Sequence, residues 1–251
     1  MGNCQENAVI LSFNISYAGS VKGNLKLISE YFKWSEYAFG SKMVEESGPM
    51  FGLGIEVKKS FPNSLNLNFG FKFLFGSVDY DGRTWGGWQV SSTTNYWRIN
   101  PEIDLGILKK VNSFFIEPFV GLGLKYWKRD LESTQNALGY KEYWKVFYAP
   151  LGLRGRYMFS KDKEFFSKIA LKIPIENESR MEIWGYEVSF DPGKKISMLF
   201  EAGIRFERLS LGLFYENMKF SESSPVPVFN FFLFQPESEA DIWGIILRIY
   251  F

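Results

Sequence analysis

Ten basic and six acidic side chains share one phase of a two-residue alternation in this chain, and they hold most of its capacity for chemistry. The basic ones are Lys58, Lys72, Arg98, Lys125, Arg154, Arg156, Lys168, Lys172, Arg205 and Arg248. The acidic ones are Glu56, Glu102, Asp104, Glu117, Glu201 and Glu216. On one enclosed face they would neutralise one another as an ion-pair network, or, through their positive excess, form a narrow path that prefers anions. Paired carboxylates are also the material of general acid–base catalysis, but among so many cations they read as structural partners. The chain has no His, so the commonest general base and metal ligand are missing. Asp79-Tyr80-Asp81-Gly82 has the opening of a calcium loop, but the twelfth position, which needs a bidentate Glu, is Val90. Gly52-Leu53-Gly54 and Gly121-Leu122-Gly123 belong to the alternation and precede no helix, so they are not phosphate loops. No metal, cofactor or enzymatic activity is expected.

Composition narrows the class. The chain has 251 residues, with 29 Lys and Arg against 28 Asp and Glu, and a net charge of +1 carries no basic footprint for nucleic acid. Hydrophobic residues make up 46%, enough to argue against disorder. A single Cys excludes an internal disulfide. No apolar run reaches the ~18 residues of a membrane-crossing helix.

The elements that must carry the charged face are strands. Leu65, Leu67, Phe69, Phe71, Phe73 and Phe75 alternate with Asn66, Asn68, Gly70, Lys72, Leu74 and Gly76. Trp243, Ile245, Leu247, Ile249 and Phe251 alternate with Gly244, Ile246, Arg248 and Tyr250. This is the pattern of strands with one apolar face. Ten such segments lie near 25–38, 49–58, 65–79, 95–109, 114–128, 143–158, 165–176, 196–206, 209–220 and 240–251. Short connections near 60–64, 110–113, 160–164 and 207–209 alternate with long ones near 39–48, 80–94, 129–142, 177–195 and 221–239. That alternation is the plan of an all-β, transmembrane, antiparallel up-and-down β-barrel of about ten strands, with eight or twelve as alternatives. Pro101, Pro118, Pro150 and Pro174 fall inside candidate strands and require bulges or strand ends.

Two further features turn the apolar face outward. Gly recurs on the polar face, where it would make room for Arg, Lys and Glu of neighbouring strands inside a narrow barrel. All eight Trp lie near the long connections: Trp34, Trp85, Trp88, Trp97, Trp127, Trp144, Trp184 and Trp243. They are expected to form an outer rim of aromatics, with Phe61, Phe114, Phe159, Phe165, Phe206 and Phe251 at the opposite edge. The rim and the Phe-rich loop 229–234 are candidate surfaces for a sugar, host or small-molecule ligand.

At the amino terminus, the apolar run 8–13 followed by Ser16-Tyr17-Ala18 reads as a secretory leader over residues 1–18, with one barrel domain over 19–251. Met1–Asn7 carries Glu6 and no basic residue, and Cys4 precedes the apolar run, where no role is assigned to it.

The chain ends Arg248-Ile249-Tyr250-Phe251, with Phe251 on the apolar face. This resembles the terminal strand of Gram-negative outer-membrane barrels. Tyr80-Asp81-Gly82, Pro118-Phe119-Val120-Gly121-Leu122-Gly123 and Gln235-Pro236-Glu237-Ser238 are similar to segments of an uncharacterised group of small bacterial outer-membrane proteins. The resemblance implies an outer-membrane location and contacts with outer-membrane lipid and lipopolysaccharide. It also implies that Tyr250 and Phe251 act as an assembly signal read by the barrel-assembly machinery. The barrel enzymes of this membrane (lipid A deacylases and palmitoyltransferases, phospholipases, omptin proteases) use a catalytic His, which this chain lacks. The expected protein is a barrel with a charged, largely filled lumen and a structural or ligand-binding role through its external loops; the alternative is a narrow porin for small anionic solutes.

Overall fold

The computed structural model describes residues 20–83, 87–135, 137–183, 185–228 and 231–251. The leader expected over residues 1–18, with Cys4, and two of the rim aromatics, Trp85 and Trp184, lie outside the described residues.

The strands close into one antiparallel ring of ten. They are β1 (Ser20–Ala38), β2 (Ser41–Ser60) and β3 (Leu65–Arg83). β4 is interrupted, running as Gln89–Ile99, Glu102–Ile107 and Lys109–Val111. Next come β5 (Phe114–Leu131), β6 (Lys141–Ser160) and β7 (Lys163–Ile183). β8 is built from Tyr186–Phe190, Gly193–Lys194 and Ser197–Phe206. β9 (Leu209–Ser221) and β10 (Glu237–Tyr250) complete the ring. Each strand pairs with its sequence neighbours, and β10 returns to β1 from Asn24↔Tyr250 to Tyr37↔Glu237. Closure leaves no sheet edge unpaired.

Outward-facing residues divide each long strand in two. On β1, Leu25, Leu27 and Tyr31 are exposed before Lys33 takes over; on β9, Leu209, Leu211 and Leu213 precede Asn217 and Lys219. Similarly, Ile169, Leu171, Ile173 and Ile175 of β7 give way to Glu176, Glu178 and Arg180. Leu53 and Leu213 are 59% and 63% exposed, in a belt that circles the barrel. An apolar surface this continuous demands a hydrocarbon cover. A tilted membrane strand needs only ~9–11 residues, whereas β2 and β6 have 20 each. The upper halves therefore stand clear of the belt as polar hairpin stems.

Several segments expected as long loops are thus strand. The β1–β2 connection shrinks to a turn at Phe39 and Gly40, both in the left-handed region at φ 54° and 73°. Above the belt, polar side chains occupy both faces, so the apolar alternation that marks a membrane strand disappears although the ladder continues.

Each proline of the ring strands sits at a gap in the ladder, where its missing N–H is not needed. β2–β3 pairing skips from Ser47↔Asp79 to Phe51↔Phe75 around Pro49. Pro101 divides β4. Pro118 faces the interval between Gly106↔Phe119 and Lys109↔Ile116. Pro150 lies in the skip from Val120↔Leu151 to Gly123↔Tyr148, and Pro174 at the register shift beside Tyr148.

Candidate functional site

The barrel interior is the most organised polar region of the molecule, and it is layered along the axis. Every predicted lumen residue points inward: Glu56, Lys58, Lys72, Arg98, Glu102, Asp104, Glu117, Lys125, Arg154, Arg156, Lys168, Lys172, Glu201, Arg205, Glu216 and Arg248 each occupy the phase opposite the apolar belt. They do not form one continuous cluster.

Nearest the short turns, Glu117 accepts hydrogen bonds from Lys58 at 2.5 Å, Asn66 at 2.8 Å and Arg154 at 2.9 Å. Arg154 also binds Asp104, which Asn68 holds at 2.9 Å. Lys26 pairs with Glu56, and Arg248 with Glu201. Arg156 and Arg205 share Glu164 at 3.8 and 3.6 Å. Arg205 stacks 3.9 Å above the Tyr250 ring, while Phe251 lies outside, 71% exposed.

At mid-height, Glu216 joins Lys125 at 2.6 Å and Lys172 at 2.5 Å, and Arg98 meets Glu30 at 2.6 Å. Tyr148 donates to Glu102 at 2.9 Å, and Lys168 reaches the same carboxylate at 2.9 Å. Apolar side chains separate these pairs: Ile28, Met50, Leu74, Ile242 and Ile246 are all buried inside the ring. Much of the room left by inward glycines is taken by rings rather than by the expected charges. A Cβ on Gly244 would lie 2.3 Å from the Phe214 ring, and one on Gly152 2.6 Å from that of Phe119.

Above the belt lies a feature absent from the sequence expectations. Arg129 is surrounded by three carboxylates: Glu36 at 2.7 Å, Glu46 at 2.8 Å, and Glu142. All four are buried, Glu46 and Glu142 completely. Thr94 and Tyr96 donate to Glu46, Ser179 to Glu142, and the Trp34 indole to Glu36. These residues lie level with outward-facing Lys128 and Asp130, clear of the belt. Burial pushes the Glu142 carboxyl up from its ordinary range; Arg129 opposes this and Glu36 reinforces it. Burial also works against the Arg129 charge, but the surrounding Glu46, Glu36 and Glu142 hold it well above its ordinary value. The sequence pattern places Arg129 and Glu142 at the ends of a long connection, because the apolar alternation fades there. The phase of Lys125 and Trp127 continues to Arg129 and was the available signal.

The aromatic rim needs a correction. Trp34, Trp127 and Trp144 point into the lumen, with exposures of 0–2%. They pack with Phe220 as one layer: Trp34–Trp144 at 5.2 Å, Trp127–Trp144 at 5.3 Å and Trp144–Phe220 at 4.8 Å between ring centroids. Strand phase explains this, since Trp34 shares the inward phase of Lys26 and Glu30, and Trp127 that of Lys125. Height along the barrel alone does not assign a face. Trp97 faces outward against Tyr126, and Trp243 against Tyr31 and Tyr215. Trp88 is an exposed loop residue.

Among the described residues, no group of three or more His, Cys, Asp or Glu is arranged to hold a metal ion; Arg129 occupies the centre of the glutamate cluster. The described lumen carboxylates named above face cations or hydroxyl donors, the chemistry of structural pairing.

Similarity to solved structures agrees with this architecture. The chain is similar to the outer membrane protease OmpT from Escherichia coli, at 13% identity and a TM-score of 0.59, covering 96% of this chain and 99% of that one. It is also similar to the translocator domain of the autotransporter NalP from Neisseria meningitidis, at 9% identity and a TM-score of 0.52, covering 92% and 90%. The chain therefore has the outer-membrane β-barrel fold. No protein-family model matches it, and no curated protein matches it in sequence.

Proposed function

We propose that this chain is an integral outer-membrane protein whose barrel is closed to solute passage, and whose role is structural or surface-binding through the hairpin stems and loops above the belt. The observation that carries this reading is the Trp34–Trp127–Trp144–Phe220 layer beneath the Arg129 glutamate cluster. A ring of ten strands is only slightly wider than one whose side chains fill it. Here three indoles and a buried ion cluster occupy its long-loop half. A pore lined by fully buried side chains has no water column to carry ions. The belt supports residence in lipid, and Tyr250 and Phe251, beside β1 at the β1–β10 seam, would be the residues read by assembly machinery.

The deciding measurement is planar-bilayer conductance of the refolded barrel, with the gel shift between unheated and boiled samples as folding control. Silence from folded protein supports the closed barrel. Steady anion-selective steps would overturn it in favour of a narrow porin.

A further inference from the structure

The short-turn half of the lumen holds a cavity of about 310 Å³, the size of a small-ligand site. Its lining runs from Ser60, Leu108 and Tyr250 beside the short turns up to Lys72, Asn100 and Lys172 at mid-height. There the packed apolar and aromatic layers end it.

Its charge is unbalanced. Ten Lys and Arg side chains line it against six carboxylates. Most of these cations are paired, but two donors are not. Lys72 has no carboxylate within ion-pair distance among the described residues; its ammonium lies 5.6 Å over the Phe214 ring, repelled by Lys26 and Lys172 and attracted from further off by Glu216 and Glu201. Arg248 is 5% exposed, and one arm of its guanidinium binds Glu201. The other nitrogen, Nη1, has no acceptor. The buried Asn24 Oδ1 in the same lining also lacks a partner.

A buried guanidinium N–H without an acceptor is unfavourable, and clustered ammonium groups repel one another. Both penalties are relieved by one kind of occupant, an oxyanion with several acceptor oxygens. We infer that this cavity is a blind binding site, entered from the short-turn side, for a small multivalent anion bearing phosphate or carboxylate groups. Arg248 would donate its free Nη1 to an anion oxygen, Lys72 and Lys26 would supply charge, and Asn24 would accept from a hydroxyl of the ligand. The site does not depend on the barrel being closed to conduction, and its test is a binding measurement.

Inorganic pyrophosphate is the probe, titrated by calorimetry into the refolded full chain in uncharged detergent at constant ionic strength. The expected result is one saturable site. Lys72→Met and Arg248→Gln should each weaken binding by about tenfold or more, as loss of a charge-assisted contact does. Lys145→Gln, on an exposed outer stem, should leave it unchanged. Arg248→Gln also frees Glu201, so its fold is checked by gel shift; Lys72→Met breaks no ion pair and keeps the test decisive if Arg248→Gln misfolds. Absence of saturable heat from folded protein overturns the inference. So does binding that Lys72→Met leaves intact, or that Lys145→Gln abolishes.

Discussion

Trp127 and Trp144 are direct cross-strand partners whose rings stack 5.3 Å apart and within 5° of parallel inside the barrel. Tryptophans at this height are ordinarily placed against lipid headgroups. Here they form a dry partition between the Arg129 cluster and the rest of the lumen.

If that partition closes the barrel, weakening it should open the barrel. Trp144→Ala is expected to remove the near-ultraviolet circular dichroism signature of the stacked pair and to cost roughly 3–5 kcal/mol. Replacing Trp34, Trp127 and Trp144 together by Ala should produce bilayer conductance where the parent is silent. A folded triple variant that stays silent would place the closure elsewhere.

Arg129 is bound by three buried carboxylates at once. Arg129→Met leaves them uncompensated and should destabilise by about 3–5 kcal/mol, read by urea unfolding from lipid vesicles. Adding Glu142→Gln to Arg129→Met should recover part of that loss, because one repelling charge is gone. Simple additivity of the two changes would contradict the cluster as described.

The same cluster predicts a pH dependence of unusual sign. Glu142 is raised above its ordinary 4.5, chiefly by burial. A carboxyl raised on folding makes the folded state hold the proton more tightly. Its contribution is complete below the ordinary value and is lost as pH rises through the raised one. Glu142→Gln should therefore flatten the stability profile from 4.5 upward and raise stability above that window. Parallel profiles for parent and variant would rule this out.

The apolar belt can be mapped by charge insertion. Leu213→Arg, in the belt on β9, should cost ~2–4 kcal/mol near the bilayer midplane, and Asn217→Arg, on the stem above it, ~0–1 kcal/mol. Equal costs measured in vesicles would mean that the belt is misplaced.

The seam at the chain's end gives a fourth site to test. Phe251 exchanges backbone hydrogen bonds with Gly23, at 3.0 and 3.3 Å, and its ring covers the space a Cβ there would need, 2.5 Å away. Gly23→Val should displace the ring and lower the temperature at which the heat-dependent gel shift is lost. An unchanged transition would show that the ring does not secure the β1–β10 seam.

The linear order of residues was enough to determine that the chain is a barrel and which charged side chains enter it at the height of the belt. In a strand the period is two, so Leu65 to Phe75 declare the lipid face and Lys72 the interior without knowledge of any neighbour. The same rule, carried past the belt, would have turned Trp34 and Trp127 inward and brought Arg129 into the site. It was lost there because stems polar on both faces no longer alternate. Which charges meet was decided only by the closed sheet. Arg154 finds Glu117 on the adjacent strand and Asp104 one strand further because register and stagger bring residues 37 and 50 positions apart to one height. Likewise, Pro118 and Pro150 are tolerable because the neighbouring strand leaves its ladder open opposite them. The unpaired Lys72 and the free nitrogen of Arg248 are tertiary facts of the same kind: a residue's type is written in the sequence, but whether its partner is present depends on which strands lie beside it.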